Sequence, residues 1–339
     1  MAVTTMTVQH RGEGAIVWDI RNLLVNDSIT WTTDLNYSAG SLEFDIVEVD
    51  EGFTPHNGDI VKFYWDGIRI FYGYIFDFKY EPEKFTVTAY DKLRYLKNED
   101  SLVWPVSTLS QRFSKVCNMA QISHSIVSAS SHKLAAEVCD SKSYFDMLKT
   151  SIENTEKATG NLYFVAANYD VVELRKAPYK ALTTVVGDKS LMTKFQYERS
   201  IDDAATVVRI VREDETKGQK STATASGKSA KDTHYTTVTA SSRHNIDNWG
   251  RLQHVENAKD KSNKAQMMEQ AKALLKSKNK QAYTLTLTTL GDIDLIAGNA
   301  VYVKIQSLKD IGLGTRSVLI TKATHHFGTK YTCEIEMKV

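Results

Sequence analysis

The 339-residue sequence contains little cysteine and little proline, and each shortage excludes a class of protein. Its three cysteines, Cys117, Cys139 and Cys333, are odd in number, far apart and in no C-x-x-C pair. This spacing argues against a disulfide framework and against a tetrahedral zinc site, so we expect folding in a reducing compartment. The 4 prolines and 17 glycines exclude collagen-like and proline-rich disordered chains.

The sequence also lacks an excess of either charge sign and lacks long apolar runs. The 42 basic and 41 acidic residues leave a net charge of +1, which excludes a globally basic nucleic-acid binder and an acidic solvating tail. No stretch approaches the ~18 apolar residues of a membrane span. The N-terminal segment lacks the basic start and apolar core of a secretory signal. We therefore expect folding in the cytoplasm and no membrane partner.

What is present is an ordinary globular composition, 42% hydrophobic, whose length predicts roughly two domains. The first hundred residues alternate apolar and polar side chains, as at Leu42, Phe44 and Ile46. That period of two predicts strands, and Asp66-Gly67 between two apolar runs predicts a hairpin turn. Several short strands separated by turns are typical of a small sandwich or barrel.

Residues 101–180 change character. Apolar residues at helical spacing predict a helix over 109–120, capped by Ser107 or Thr108. A second helix is predicted to start at Ser143, where Ser143-x-x-Asp146 forms a capping box, and to end at Gly160. Apolar runs at 162–165 and 171–174 then predict a hairpin. Together these elements predict a small α+β insert.

Strand patterns return at 182–186 and 207–211, and the polar stretch 214–245 predicts a long exposed loop or a protruding hairpin. Residues 258–280 predict a helix with Met267 and Ala271 on one face and lysines elsewhere. Such a helix could follow a phosphate backbone, but it lacks interleaved aromatic residues. A solvated helix face is the favoured interpretation, with no sequence-specific nucleic-acid partner.

The two ends of the chain share an internal repeat. The order turn, strand, strand, turn, strand that begins at Gly58-Asp59 recurs from Gly298-Asn299 with similar lengths. We interpret the repeat as the duplication of a whole domain. The predicted fold class is α+β and mainly β, with two related small β-barrels, an α+β insert and a lysine-rich helix between them.

Histidines and glycine-rich loops give no candidate binding site. The adjacent His325 and His326 are predicted to point to opposite faces of a strand, one inward and one outward, so they do not chelate one ion. The sequence Gly227-Lys228-Ser229 resembles the end of a phosphate-binding loop, but Thr222 stands where that loop needs its first glycine. We predict no cofactor-binding residue, no metal ligand and no bound cofactor.

Nucleophiles and carboxylates give no candidate catalytic residue either. The sequence contains neither G-x-S-x-G nor H-E-x-x-H, and Cys117 and Cys333 follow apolar patterns that predict burial. Asp45, Glu48, Asp50 and Glu51 cluster at a strand end, where acidic side chains usually face water. A catalytic acid pair needs a defined separation in space, which the sequence does not supply. We therefore predict that the chain is not an enzyme.

Segments spread over nearly the whole chain resemble those of one known family. They are Gly40–Phe44, Gly58–Val61, Tyr72–Ile75, Asp91–Asn98, Ser143–Leu148, Gly160–Tyr163, Tyr197–Asp203, Asn248–Gln253, Ala297–Val303 and Thr324–His326. Together they are similar to the baseplate hub of contractile phage tails and tail-like bacteriocins, in its XkdQ/YqbQ-like form (late control D, or T4-hub-like). Asn299 follows Gly298 where Asp59 follows Gly58, a mild departure within the repeat.

The resemblance implies a structural protein with two tube-like barrels that assembles as a homotrimer. Three chains would then present six similar surfaces, which adapts a sixfold tail tube to a threefold spike. The implied partners are a second and third copy, the tube protein, the central spike and the baseplate wedges, in a phage or bacteriocin particle released from a bacterium. The expected divisions are 1–100 (first barrel), 101–180 (insert), 181–213 with 281–339 (second barrel) and 214–280 (polar excursion and helix).

Two alternatives belong to other classes of protein. A baseplate-associated peptidoglycan hydrolase would fit the need to breach a cell wall, although no hydrolase motif is visible. A LysM-like wall-binding role for the insert would fit its predicted pair of helices. A murein-degradation gel and a peptidoglycan pull-down distinguish these alternatives from a hub.

Overall fold

The computed structural model describes residues 2–12, 16–35, 37–47, 53–214, 234–258, 262–309 and 313–339. The chain is mainly β, as predicted, with helices between groups of strands. It forms two compact units, Met1–Gln196 with Leu285–Val339, and Tyr197–Thr284. Among the described strands the pairings of the largest sheet follow an open path, so the two closed barrels remain a prediction.

The first unit begins with seven strands, and their alternating burial is the predicted one. Leu42, Phe44 and Ile46 are each at most 1% exposed. Asp66 and Gly67 have φ of 48° and 79°, as a two-residue hairpin turn requires. The strands are β1 (Val3–Gln9), β2 (Val17–Asp19), β3 (Ile29–Asp34), β4 (Ser41–Val47), β5 (Ile60–Trp65), β6 (Ile68–Glu81) and β7 (Lys84–Asp91), with short 3-10 helices at Arg21–Leu23 and Lys92–Lys97.

The insert folds as its capping signals predict. Thr108, one of the two predicted caps, accepts a hydrogen bond from the Gln111 N–H, and Ser143 accepts one from the Asp146 N–H. Gly160 ends the second helix with φ of 72°. The elements are β8 (Glu99–Trp104), β9 (Ser107–Thr108), α1 (Leu109–Met119), β10 (His124–Ile126), β11 (Lys133–Leu134), β12 (Glu137–Ser143), α2 (Tyr144–Thr159) and the predicted hairpin β13 (Tyr163–Asn168) and β14 (Val171–Lys176).

The rest of the chain adds strands to the large sheet and builds a separate three-stranded sheet. In chain order the elements are β15 (Ala181–Gly187), β16 (Met192–Ser200), β17 (Val207–Asp214), β18 (His234–Ser241), α3 (Arg243–Trp249), β19 (Gln253–Asn257), α4 (Lys264–Lys278), β20 (Ala282–Leu290), β21 (Ala300–Lys304), α5 (Gln306–Lys309), β22 (Arg316–Phe327) and β23 (Thr332–Lys338). In the described residues, no helix is long and apolar enough to cross a membrane.

The second unit is a three-stranded sheet, ordered β18-β17-β19, with α4 packed on one face. Met267 and Ala271 of α4 are fully buried against Val208 and Ile210 of β17. In the described residues β17 pairs with β18 and β19, whereas the sequence grouped residues 181–213 with those of 281–339. Helix α4 begins at Lys264, later than the predicted residue 258, because Asn263 supplies its cap.

The large sheet contains the same six-strand order twice. One half runs β3-β4-β7-β6-β5-β1 and the other runs β16-β20-β23-β22-β21-β15. The halves join where β22 pairs antiparallel with β3, from Lys322↔Asp34 to Phe327↔Ile29. They differ at one end, since β1 pairs antiparallel with β5 whereas β15 pairs parallel with β21.

The repeat extends to individual hydrogen bonds at two matching turns, one before β5 and the other before β21. The Gly58 N–H donates to the Ile75 carbonyl at 2.7 Å, and the Gly298 N–H donates to the Ile320 carbonyl at 2.9 Å. The Ile75 N–H donates back to Asp59, and the Ile320 N–H donates back to Asn299, both at 2.9 Å. The strand pairing shifts register directly after each isoleucine. The order predicted from the sequence is thus repeated in the backbone itself.

Candidate assembly surfaces

Free strand edges are the first candidate assembly surface. Among the described strands, β2, β15 and β16 each pair with a single neighbour and so end the large sheet. At the start of β2, the apolar Val17 and the preceding Ile16 are 55% and 54% exposed. Unpaired backbone N–H and C=O groups make such an edge a template for pairing with another chain. Edge strand β2, which combines free backbone with exposed apolar side chains, is the strongest of the three.

Aromatic rings cover the outer side of β6 and the 3-10 helix after β7. Tyr74 lies 6.0 Å from Tyr72 and 5.3 Å from Tyr95, measured between ring centroids. The Arg94 guanidinium lies 4.9 Å from the Phe76 ring, a cation–π contact. Burial raises the pKa of Tyr74 and of Tyr95 above the ordinary tyrosine value. These half-exposed rings form an aromatic face, defined here as Tyr72, Tyr74, Phe76 and Tyr95.

Part of the strand surface beside the aromatic face already holds the insert. The Tyr169 hydroxyl, in the turn between β13 and β14, lies 3.2 Å from the Tyr64 hydroxyl of β5. The Lys92 ammonium donates to the Asp170 carbonyl at 2.6 Å and lies 5.3 Å from the Tyr72 ring. Rings and cations on the first half of the sheet thus fix the insert hairpin within the same unit.

The second unit presents an open sheet face. Helix α4 covers one side, and the opposite side exposes Arg209, Tyr235 and Val255, of which Tyr235 and Val255 are 58% and 52% exposed. Within the polar stretch 214–245, residues 234–241 form strand β18, which pairs antiparallel with β17. Residues 215–233 lie outside the described residues. Among the α4 lysines, Lys272 pairs with Glu269 at 3.3 Å on the solvated face.

The adjacent histidines take the predicted opposite orientations. His325 is fully buried and His326 is exposed. The His325 Nε2 lies 3.2 Å from the Leu295 carbonyl, which only accepts, so Nε2 carries the proton. Its Nδ1 then accepts from the Tyr331 hydroxyl at 2.8 Å. Burial lowers the pKa of His325 to about 3, so the ring is neutral and packs as part of the core.

All three cysteines are buried, as predicted for Cys117 and Cys333 from their apolar patterns. Burial raises the pKa of the Cys117 thiol to about 12 and raises that of Cys139 and Cys333 as well. A nucleophilic cysteine needs a lowered pKa, because the thiolate is the reactive form. These three side chains therefore act as small hydrophobic residues.

Asp45 and Asp91 have structural partners. Asp45 accepts from the Thr86 hydroxyl at 2.8 Å and pairs with Lys84 at 3.3 Å. Asp91 is buried and accepts from the Gly40 and Leu93 N–H groups, each at 2.9 Å, while burial raises its pKa to about 7. The other members of the predicted acidic cluster, residues 48, 50 and 51, and the Gly227-Lys228-Ser229 stretch lie outside the described residues.

One cluster was missed by the sequence analysis. His10, His56 and Asp59 lie together where β1 ends and β5 begins, with one ligand-capable atom of each within 4.8 Å of the others. The signal is the strand register: Gln9 pairs with Ile60, so the next residues, His10 and Asp59, come opposite each other. Sequence spacing alone does not show that pairing, because 49 positions separate the two side chains.

Comparison with known proteins gives the chain its family. The model of the family described as YQBQ-like matches residues 29–338. The chain belongs to the YQBQ-like family. Two Bacillus subtilis proteins are similar over 289 residues, 84% of this chain and 82% of their own length: the uncharacterized protein YqbQ at 28% identity and the phage-like element PBSX protein XkdQ at 26%. The resemblance predicted from the sequence segments is confirmed.

Solved structures show the fold of this YQBQ-like chain in tail proteins. The 43 kDa tail protein of prophage MuSo2 from Shewanella oneidensis matches with a TM-score of 0.65 and 12% identity, covering 98% of this chain and 97% of that one. The tail protein from Neisseria meningitidis MC58 matches with a TM-score of 0.64 and 13% identity, covering 99% and 96%. A third match is the E. coli c3393 protein, a type VI secretion component described as similar to T4 tail proteins gp27 and gp5. Its TM-score is 0.52 at 10% identity, and the match covers 98% of this chain and 76% of that one.

Proposed function

We propose that this YQBQ-like chain is a structural hub of a tail baseplate, in a phage or an R-type bacteriocin, and not an enzyme. The observation that carries the proposal is the doubled six-strand order of its large sheet, within a fold shared with tail proteins. A chain that carries two copies of one surface suits a position where the symmetry of an assembly changes. Three such chains offer six related surfaces to a sixfold tube and keep threefold symmetry toward a spike.

The proposal requires head-to-tail contacts between copies. A closed ring is built from two different patches on each chain, so the edge of one half must meet a complementary edge of the next chain. The free edge at β2 offers the first patch, since its Val17 is 55% exposed and its backbone has one neighbour only. Each half of the sheet would form one tube-like barrel once neighbouring strands complete it.

The remaining proposed partners are the tail tube, the central spike and the baseplate wedges. The open sheet face of the second unit, with Arg209, Tyr235 and Val255, suits a protein partner because it combines an aromatic ring, a guanidinium and an exposed aliphatic side chain. The final location in this proposal is the tail of a released particle.

The oligomeric state of the purified chain tests the proposal. Light scattering after size exclusion is expected to give three times the 38.1 kDa chain mass. Val17→Lys places a charge on the β2 edge and is expected to shift the chain to monomer, since a charged edge resists pairing. Val255→Lys is the matched control, because Val255 is similarly exposed at 52% but lies on the face assigned to other partners. A wild-type chain that stays monomeric at every concentration, or a V17K trimer, contradicts the proposed contact.

A separate assay tests the hydrolase alternative. A murein gel is expected to show no clearing by the purified chain, because the described cysteines are protonated core residues and Asp45 and Asp91 are held by structural hydrogen bonds. Clearing by this chain alone, lost on boiling, would overturn the assignment to a structural role.

A further inference from the structure

The His10, His56 and Asp59 side chains converge at an end of the large sheet. The His10 Nδ1 donates to the Asp59 Oδ2 at 2.8 Å, and the His56 backbone N–H donates to the same oxygen at 2.9 Å. The two imidazole rings lie 4.6 Å apart between centroids, tilted by 34°. Two imidazoles and a carboxylate are a ligand set that divalent transition metals take in proteins.

The backbone holds this cluster firmly on the carboxylate side. Asp59 is 3% exposed, and its carbonyl accepts from the Ile75 N–H while its own N–H donates to the His56 carbonyl at 3.1 Å. His10 extends β1 opposite Asp59, and its side chain is 23% exposed. One ligand pair is therefore fixed by sheet register before any ion arrives.

The third ligand is the most exposed of the three. His56 lies in the segment that precedes β5, and its ring is already beside that of His10. Gly58, with φ of 91°, has nothing within 4 Å of the place where a Cβ would stand, so the turn beside the cluster is open to solvent. Water can therefore fill the positions on an ion that protein atoms leave empty.

We propose that His10, His56 and Asp59 bind one divalent transition-metal ion of the Zn²⁺ or Co²⁺ kind, with water completing its shell. Two ligands about 2.1 Å from an ion lie about 3 Å apart at a right angle and about 3.4 Å apart in a tetrahedron. The 2.8 Å between His10 Nδ1 and Asp59 Oδ2 is close to the first value. The ion replaces the shared proton, which leaves to solvent, and His56 closes over it.

The chemistry of the ligands sets the selectivity of the site. Imidazole nitrogen suits Zn²⁺, Co²⁺ and Ni²⁺, whereas Mg²⁺ and Ca²⁺ prefer shells made of oxygen. A bound ion would link the end of β1 to the segment before β5, and this link would add to the hydrogen bonds between the two strands. Its presence or absence is independent of the hub assignment, because it concerns the fold of a single chain.

Metal titration of the full chain, stripped with a chelator, tests the proposal. Calorimetry with Zn²⁺ is expected to give one ion per chain, and Co²⁺ is expected to give visible absorption bands that Zn²⁺ abolishes. Mg²⁺ and Ca²⁺ are expected to give neither heat nor competition. Zn²⁺ should also raise the midpoint of thermal unfolding, since an ion that binds only the folded chain stabilises it.

Three variants separate this site from adventitious binding by surface histidines. His56→Ala removes an exposed ring, so it should fold normally and bind Zn²⁺ at least ten-fold more weakly. Asp59→Asn should weaken binding at least as much. His326→Ala, which removes an exposed histidine elsewhere in the same unit, should bind like the wild type. Zn²⁺ binding that H56A leaves unchanged, or that H326A weakens equally, overturns the proposal, as does the absence of a saturable Zn²⁺ site.

Discussion

The two matching turns of the large sheet have the same backbone and opposite surroundings. Gly58 and Gly298 have φ of 91° and 95°, and both donate to an isoleucine carbonyl. A Cβ at Gly58 would meet nothing within 4 Å, whereas at Gly298 it would lie 2.3 Å from the Phe164 ring of the insert. The two halves thus share the turn, but of the two turns only the one at Gly298 packs against the Phe164 ring of the insert.

The residue after each glycine shows how the surroundings select a side chain. Asp59 accepts from two donors, the His10 ring and the His56 N–H. Asn299 instead donates from Nδ2 to the Asp294 carbonyl at 2.8 Å and accepts at Oδ1 from the Lys180 N–H at 3.2 Å. A carboxylate suits the first site because it only accepts, and an amide suits the second because it does both. The mild departure in the sequence is a change of hydrogen-bonding partner.

Alanine at the two glycines should give the largest contrast. Gly298→Ala combines a positive φ with a clash against the buried Phe164 ring, and we expect it to lower the free energy of unfolding by about 4 kcal/mol. Gly58→Ala has only the backbone strain, and we expect about 1 kcal/mol. Urea unfolding followed by circular dichroism measures both. Equal losses would show that the two turns have the same environment.

Exchanging the polar residues should give the next largest effect. Asn299→Asp removes the donor that faces the Asp294 carbonyl and places an acid in a fully buried site, and we expect a loss of about 3 kcal/mol. Asp59→Asn keeps one oxygen acceptor for the His56 N–H, and we expect about 1 kcal/mol. The same unfolding curves check the order. A larger loss for D59N would mean that donors and acceptors are distributed differently at the two turns.

The pH dependence of stability distinguishes the second half of the sheet from the first. Burial lowers the pKa of His325 to about 3, whereas the unfolded chain has the ordinary value of about 6.5. Below pH ~6.5 the unfolded chain binds a proton at His325, whereas the folded chain does not. The contribution of the neutral His325 to the free energy of unfolding is therefore full above that pH and is lost as pH falls.

The matched variant His325→Gln isolates this contribution. It should be less stable than the wild type at pH ~8 but should lose less stability on going to pH ~5. Asp91, whose pKa burial raises to about 7, acts in the opposite sense in both proteins and cancels in the difference. Denaturant unfolding at each pH gives the two slopes, and parallel slopes would contradict the lowered pKa of His325 in the folded chain.

Local signals in the sequence predicted much of the fold. The caps at Thr108 and Ser143 and the C-terminal Gly160 act within a few residues, so each could be recognised from its neighbours. Alternation along a strand likewise predicted that one of the two adjacent histidines points inward and the other outward, and the structure shows His325 buried and His326 exposed. The order of the repeat was visible because its turns use the same glycine.

Features that depend on pairing between distant strands could not be predicted. The junction of β22 with β3 joins residues almost 300 positions apart, and no local pattern indicates it. The membership of β17 in the second unit depends on its packing under α4, where Met267 and Ala271 find their partners. The convergence of His10 with Asp59 follows from register, which the turn and strand patterns leave open. These are the features that place the candidate surfaces.

Negative-stain electron microscopy of the purified chain shows whether the duplicated sheet builds a ring of three chains. We expect class averages that show rings with threefold symmetry and six lobes, because each of three chains contributes two related halves of the large sheet. Uniform single particles of one 38.1 kDa chain, or rings with three lobes only, would contradict the proposal that the duplicated sheet acts as a symmetry adapter.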